Sequence, residues 1–283
     1  MLENTIDKIL LQIVVINKKM KNKKRKWNYR RVIKEIKENG YYVYENFFSK
    51  KDLDEIKNSL LQTLHYIKKD KEKDLQKKYY SIKKYNPKLK GNWYDIANRN
   101  LTLYKHVHSP DIIELVKRYF KSKLIFSVRP CIHAHDDTND FLLSPHQETN
   151  MMSKDGILLW SPIYDTNEQN GGLVVYKKSH KHGFFKHTTY HPKLGNKSWT
   201  KEYTHIHPNI VKRFEKKELR VKSGSAVFML NSMIHCGYQM KRKGHVRITI
   251  TERFNPLQNI PYLKKADAPF KIPYTANYNK IRD

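Results

Sequence analysis

The sequence predicts a mainly β protein with its helices gathered at the N-terminal end and two sheets facing each other in a jelly roll. Three observations carry this. Apolar residues recur at helical spacing in the first part of the chain. From Leu124 onward, short apolar or alternating runs are separated by turn residues. The most regular of them, HVRITITERF over residues 245–254, puts Val246, Ile248 and Ile250 on one face and Arg247, Thr249 and Thr251 on the other, the period of a strand. The expected organisation is a basic N-terminal extension over 1–26 and one domain over 27–283. That domain divides into a helical part (27–122), a jelly-roll core (123–256) and a tail (257–283).

In residues 1–26 the apolar run Ile9–Ile16 is followed by KKMKNKKRK. Positive charge behind the run and no small-residue cleavage site argue against a signal peptide. A short docking helix is expected, with a basic membrane-surface helix as the alternative. A helix over about Val32–Lys37 then breaks at Asn39-Gly40 before the strand Tyr41–Tyr44. Ser49, with Asp52 three residues on, caps a helix whose Leu53, Ile56, Leu60, Leu61 and Leu64 form a buried stripe. Residues 67–91 are Lys-rich with Tyr79, Tyr80 and Tyr85 interleaved; they read as a solvated loop, the alternative being a stacking surface for single-stranded nucleic acid. Ser109-Pro110-Asp111 starts a further helix with Pro in its first turn, burying Ile112, Leu115, Val116 and Tyr119.

In residues 127–135 one face carries Val128, Pro130, Ile132 and Ala134, and the other Arg129, Cys131, His133 and His135. The polar face either lines a cavity or is an exposed edge, which Pro130 would mark. Residues 184–218, with His187, His191, His205 and His207, break the strand pattern and are expected to act as a lid or substrate contact; their spacing fits no tetrahedral zinc motif. Strands resume at Leu219-Arg220-Val221 and after Gly224, and the tail from Pro256 reads as coil.

The net charge is +29, from 56 Lys and Arg against 27 Asp and Glu. Most of the excess is Lys, accompanied by much Asn, Ile and Tyr, the composition that AT-rich coding produces. A functional basic surface for nucleic acid or an anionic membrane is the other reading. Two isolated cysteines, Cys131 and Cys236, make neither a disulfide framework nor a zinc motif. Such cysteine usage fits a reducing cytoplasm, the expected location, and no apolar run approaches the length of a membrane span.

The chemistry concentrates in Ser144–Gly183. In an extended segment His146 and Glu148 point the same way, with Gln147 turned from them. Ile157–Trp160 and Leu173–Tyr176 read as strands around the turn Asn170-Gly171-Gly172. His235 follows 89 residues after His146, and Arg247 twelve after that. Two His and one carboxylate on three positions of an octahedron leave a face open, the arrangement of non-haem Fe(II) oxygenases. His133 and His135 also have ligand-like spacing, but a second site would need a carboxylate and a later His already assigned. Arg247, if it points inward, needs an anion, because Thr249 and Thr251 on its face are neutral and Glu252 faces the other way; a lone buried guanidinium is expensive.

These phrases, with GYYVYENFFSKKDLDEI, WSPIYDTNEQNGGLVVYKKSHKHG and the Gly224-Ser225 start of a strand, resemble the phytanoyl-CoA dioxygenase family of iron- and 2-oxoglutarate-dependent oxygenases over roughly residues 32–256. Two departures stand out: Glu148 replaces the commoner Asp, and Lys177-Lys178-Ser179-His180 replaces Pro-Gly-Ser-His. The resemblance implies a cupin-like double-stranded β-helix with Fe(II) held by His146, Glu148 and His235. It implies 2-oxoglutarate on the metal, its far carboxylate on Arg247 and its flanks against Trp160 and Thr249, with Arg129 the next candidate anchor. It also implies dioxygen as reactant and hydroxylation of a small organic or lipid-like substrate. Residues 1–19 precede the family-like region, which begins only after Met20, and are expected to be dispensable. Two other readings compete: a non-catalytic jelly roll that binds a ligand, and an oxygenase acting on nucleic acid.

Overall fold

The structure, a computed structural model, describes residues 27–127, 130–137, 144–148, 155–188, 205–238 and 240–256. The Ile9–Ile16 run, the C-terminal tail and Arg129 lie outside them.

Helix α1 (Tyr29–Asn39) ends at Gly40, whose φ of 81° lets its N–H reach the Ile36 carbonyl. Strand β1 (Tyr41–Tyr44) follows. Ser49 and Asp52 form a reciprocal capping box at the start of α2 (Lys50–Ile67), and Leu53, Ile56, Leu60, Leu61 and Leu64 are all buried. Residues 67–91 are not a solvated loop. They contain α3 (Leu75–Tyr85), capped by Asp74, and lead into α4 (Leu89–Ala97). Leu75, Tyr79 and Ile82 make a narrow buried stripe on α3. The Tyr79 hydroxyl donates to Asp136 at 2.8 Å, and Tyr80 donates to Asp137 at 2.6 Å. Lys78 is fully buried and paired with Asp70 at 2.6 Å. Tyr79 and Tyr80 are thus engaged inside the protein; Tyr85 alone of the three is exposed. Helices α5 (Leu101–Val107) and α6 (Pro110–Phe120) complete the helical layer, the latter with Pro in its first turn and Ile112, Leu115 and Val116 buried.

The remaining elements are β2 (Ile125–Ser127), β3 (Cys131–Asp136), β4 (Ile157–Pro162), β5 (Gly172–Tyr176), a 3-10 turn (Ser179–His182), β6 (His187–Thr188), β7 (His205–Ile206), the short helix α7 (Pro208–Val211), β8 (Lys216–Leu219), β9 (Ala226–Leu230), β10 (His235–Tyr238) and β11 (Val246–Pro256). Strand β8 begins before the predicted Leu219 and ends there. The larger sheet runs β1-β9-β4-β11-β2, with β3 also on β11; the smaller runs β10-β5-β8, and β6 pairs with β7. Every strand pair is antiparallel.

The alternation of β11 sets the layers. Val246, Ile248, Ile250 and Phe254 join Ile132, Ala134, Ile157, Leu159 and Phe228 in one cluster with the helices. Burying each such side chain contributes about 1.5–3 kcal/mol. From the opposite face of the same sheet, Leu158, Trp160, Val227 and Met229 meet Leu173, Val175, Leu219 and Val221. Glu252 shares the helical face and is fully buried there, 3.3 Å from His108 Nε2. The outer edge of β3 is closed by α4: Asn98 accepts from the Ile132 N–H at 2.7 Å, and the Tyr94 hydroxyl bonds both N–H and carbonyl of Ala134. Helical cover of this kind satisfies an edge that would otherwise recruit another strand.

Candidate metal centre

Between the two sheets, apolar packing gives way to a polar cavity lined by His133, His135, His146, Glu148, His235, Arg247, Thr249, Thr251 and Arg253, with Trp160 and Leu158 at its wall. The polar face of β3 is therefore a cavity wall rather than an exposed edge. Its register on β11 places His135 opposite Arg247, His133 opposite Thr249 and Cys131 opposite Thr251.

His146 and His235 form a bridge pair: each donates its N–H to the other's carbonyl at 3.0 Å. This backbone exchange brings their rings to a 4.4 Å centroid separation. Glu148 follows, its N–H donating to the Asn231 carbonyl. Gln147, between them, turns away; its amide donates to the carbonyls of Gly183 and Ser232, and its oxygen accepts from the Phe185 N–H. Both imidazoles are oriented from behind. His146 Nδ1 lies 2.8 Å from the Ser144 carbonyl, and His235 Nδ1 lies 3.0 Å from the Met233 carbonyl. A carbonyl can only accept, so each Nδ1 carries the hydrogen and each Nε2 presents a lone pair. Ligand atoms of His146, Glu148 and His235 all lie within 4.8 Å of one another. Burial and the neighbouring His235 push the His146 imidazole down to about 3, which keeps it in the neutral, ligating form.

The turn before β5 is as close-packed as its residues imply. Gly171 has φ of 70°, and a Cβ there would lie 2.8 Å from the Tyr238 carbonyl and 3.0 Å from Arg247 Nη1. Where the related phrase carries Gly, Lys178 adopts the left-handed conformation instead, at φ of 61°, a strain of about 1–2 kcal/mol. The next residue, Ser179, accepts the Ile234 N–H at 2.9 Å and so ties this turn to the segment leading into His235.

Two arginines stand on the cavity face of β11. Arg253 forks onto Glu148, Nε to Oε2 at 2.7 Å and Nη2 to Oε1 at 3.1 Å. Burial would raise the Glu148 carboxyl, but the Arg253 guanidinium outweighs it and holds the group well below the carboxylate range. Among the described residues Arg247 has no carboxylate partner. Its Nη1 donates to the Gly172 carbonyl at 3.0 Å and, at 3.4 Å, to that of Tyr238, while its buried Nε has no acceptor. Burial lowers its guanidinium to about 10. Burial also takes His133 to about 4 and His135 well below the usual imidazole value, each helped by nearby arginine charge. The Cys236 thiol is pushed up to about 11 by burial and stays protonated.

The structure thus brings together His146, Glu148, His235, Arg247, Trp160 and Thr249, all named from sequence. Arg129 lies outside the described residues. Sequence reasoning did not assign Arg253, although the alternation Arg247, Thr249, Thr251, Arg253 already put it on the cavity face.

A family model for phytanoyl-CoA dioxygenase (PhyH) matches residues 36–244. No curated protein matches the chain at the level of sequence. Among solved structures, EctD from S. alaskensis with 2-oxoglutarate and 5-hydroxyectoine superposes with a TM-score of 0.57 at 11% identity, covering 86% of this chain and 81% of that one. The epimerase SnoN in complex with Fe3+, alpha ketoglutarate and nogalamycin RO gives 0.56 at 11%, covering 80% and 82%. The non-haem monooxygenase ThoJ gives 0.57 at 12%, covering 80% and 77%. At these identities the likeness is one of fold.

Proposed function

As the chain belongs to the phytanoyl-CoA dioxygenase family, whose members are 2-oxoglutarate-dependent non-haem iron enzymes, we propose that His146 Nε2, Glu148 Oε1 and His235 Nε2 hold Fe(II) and that Arg247 anchors 2-oxoglutarate. The two facing sheets are then the halves of a jelly roll with the metal between them. One observation carries the reading: the three ligand atoms converge within 4.8 Å on a cavity that also holds an arginine without a carboxylate among the described residues.

The residues present fit both absent groups. Two imidazoles and a carboxylate make a three-ligand set with open positions. The unpartnered Arg247 Nε fits an entering carboxylate, and a guanidinium takes a carboxylate in a fork. When bound, Fe(II) and 2-oxoglutarate supply activation of dioxygen for oxidation of a substrate. The chain's own part is orientation and shielding. The Ser144 and Met233 carbonyls aim the imidazoles, Arg247 fixes the far end of the co-substrate, and Trp160 and Thr249 flank it. Leu158, Leu173 and Trp160 keep water from that wall. The outcome we assign is hydroxylation of a small organic or lipid-like molecule.

The test is an anaerobic titration of the Fe(II)-loaded protein with 2-oxoglutarate, followed by succinate release on admitting air. A charge-transfer band and succinate formation are expected for the native chain, and neither for His146→Ala or His235→Ala. Iron binding that survives both substitutions would sink the ligand assignment.

A further inference from the structure

Glu148 is approached from two sides. The two imidazole Nε2 atoms lie nearest Oε1, His235 at 3.5 Å and His146 at 4.0 Å. Arg253 makes its shorter contact with the other oxygen, Nε to Oε2 at 2.7 Å, and its longer one, 3.1 Å, with Oε1. Arg253 is itself fixed: it sits within β11, paired there with Leu158 of β4, and only 7% of it is exposed. Its remaining terminal nitrogen lies 3.5 Å from Thr251 Oγ1.

We infer that Arg253 is a positioning residue that turns Glu148 so that Oε1 alone meets the metal, keeping Oε2 for itself. This rests on the reading of Glu148 as a ligand. A carboxylate with both oxygens free can chelate a cation and fill two of six positions. With two imidazoles and a two-toothed keto acid, no position would then remain for dioxygen. A guanidinium seated on Oε2 blocks that mode by geometry, because the oxygen's lone pair is already directed at a donor. The contact that a metal would weaken, on Oε1, is the longer of the two. The same fork accounts for Glu148 in place of the commoner Asp. The carboxylate must reach both the His146–His235 pair and a side chain on β11, and Asp, one methylene shorter, would give up one or the other.

The experiment uses cobalt(II) as a spectroscopic probe, bound to the full chain without oxygen. It compares native protein with Arg253→Met, Arg253→Lys and His146→Ala, folding being checked by circular dichroism. His146→Ala is expected to lose cobalt binding. Arg253→Met is expected to bind cobalt about 10–100-fold more weakly, with altered visible bands as the coordination number changes. Arg253→Lys keeps the charge but not the fork, and should fall between the two with bands unlike the native ones. A purely structural counter-ion would move the melting temperature and leave affinity and bands alone. If His146→Ala loses the metal while Arg253→Lys matches the native protein in affinity and spectrum, the positioning role is wrong and the ligand set stands. If His146→Ala binds as the native protein does, the ligand set fails and the positioning role with it. Should Arg253→Met not fold, Arg253→Lys decides on the same criterion.

Discussion

The two ends of the cavity face of β11 carry the same side chain in opposite circumstances. At one end Arg253 is forked onto Glu148, and the pairing raises its guanidinium above the normal value despite burial. At the other, Arg247 is equally buried, meets only backbone carbonyls among the described residues and is lowered to about 10. Desolvation is shared; the partner differs. A buried charge that is satisfied within the chain is part of the framework, whereas one left without a counter-charge is where an anionic ligand belongs. On the function proposed above, the paired end builds the metal site and the unpaired end receives the co-substrate.

The largest effect should come from making the paired end resemble the unpaired one. Glu148→Ala strands Arg253 without its carboxylate, and breaking a buried pair this way costs about 3–5 kcal/mol. Metal binding should nearly vanish as well, whereas Glu148→Asp keeps part of it. Urea unfolding and a metal titration measure the two consequences; unchanged metal affinity in Glu148→Ala would remove it from the ligand set. At the other end, Arg247→Ala should weaken 2-oxoglutarate by about 2–5 kcal/mol, the range for truncating one partner of a buried charge pair, and leave metal binding intact. Arg247→Lys should recover only part, since a point charge replaces a planar fork. Equal co-substrate affinity in native protein and Arg247→Ala, followed at the charge-transfer band, would mean that the anchor lies elsewhere.

His133 sits between the two ends, 3.1 Å from Thr251 Oγ1, and is held at about 4 chiefly by burial, then by Arg253, with a smaller contribution from Arg247. Its folded value lies below the usual 6.5, so the folded chain takes its proton later than the unfolded chain. The stability it preserves is present above the unfolded value and is lost as pH falls from about 6.5 to about 4, by roughly 3 kcal/mol in all. His133→Gln should lessen the slope of that stretch of the stability–pH curve of the metal-free protein, while His135 and His146 keep theirs. If the curve keeps its native slope, another group sets the acid limb.

The parts of this arrangement that were legible in the sequence are those that one strand or one turn encodes. The His146/Glu148 alternation, the two faces of Val246–Phe254, the Ser49–Asp52 cap and the Leu53–Leu64 stripe each follow from a local period. Arg253 was on the correct face but had no assigned partner, since its contact with Glu148 spans 105 residues and depends on how β11 lies against the segment carrying His146. Helices α3 and α4 were hidden for another reason. The Lys run obscures a stripe of only Leu75, Tyr79 and Ile82, and one of those lysines, Lys78, is buried on Asp70 instead of solvated. Composition reports charge and is silent on which charges find partners. The missing Gly of the Lys177–His180 turn is a case of strain overriding preference, with Lys178 taking the left-handed conformation itself.

The smallest expected effect, that of Arg247→Met on the stability of the metal-free protein, is also the sharpest discriminator between the two arginines when set beside Arg253→Met, Met being a side chain of similar reach. At position 253 the substitution strands the Glu148 carboxylate and should cost about 3–5 kcal/mol. At position 247 two contributions oppose each other. Relief of a desolvated guanidinium whose Nε has no acceptor favours the variant. Loss of its hydrogen bonds to the Gly172 and Tyr238 carbonyls disfavours it, each such bond to a charged donor being worth about 1.5–3 kcal/mol. Those carbonyls belong to residues paired in the β5–β10 ladder, which reduces the second contribution, so the net change should stay within about 1 kcal/mol. With manganese(II) bound, 2-oxoglutarate at a hundred times its dissociation constant should then stabilise the native protein by a further ~2.7 kcal/mol, and Arg247→Met by far less at the same concentration. Melting curves of the three proteins, with and without manganese and 2-oxoglutarate, read all of this directly. A metal-free Arg247→Met as damaged as Arg253→Met would make Arg247 a structural residue and erase the difference between the two ends of the strand.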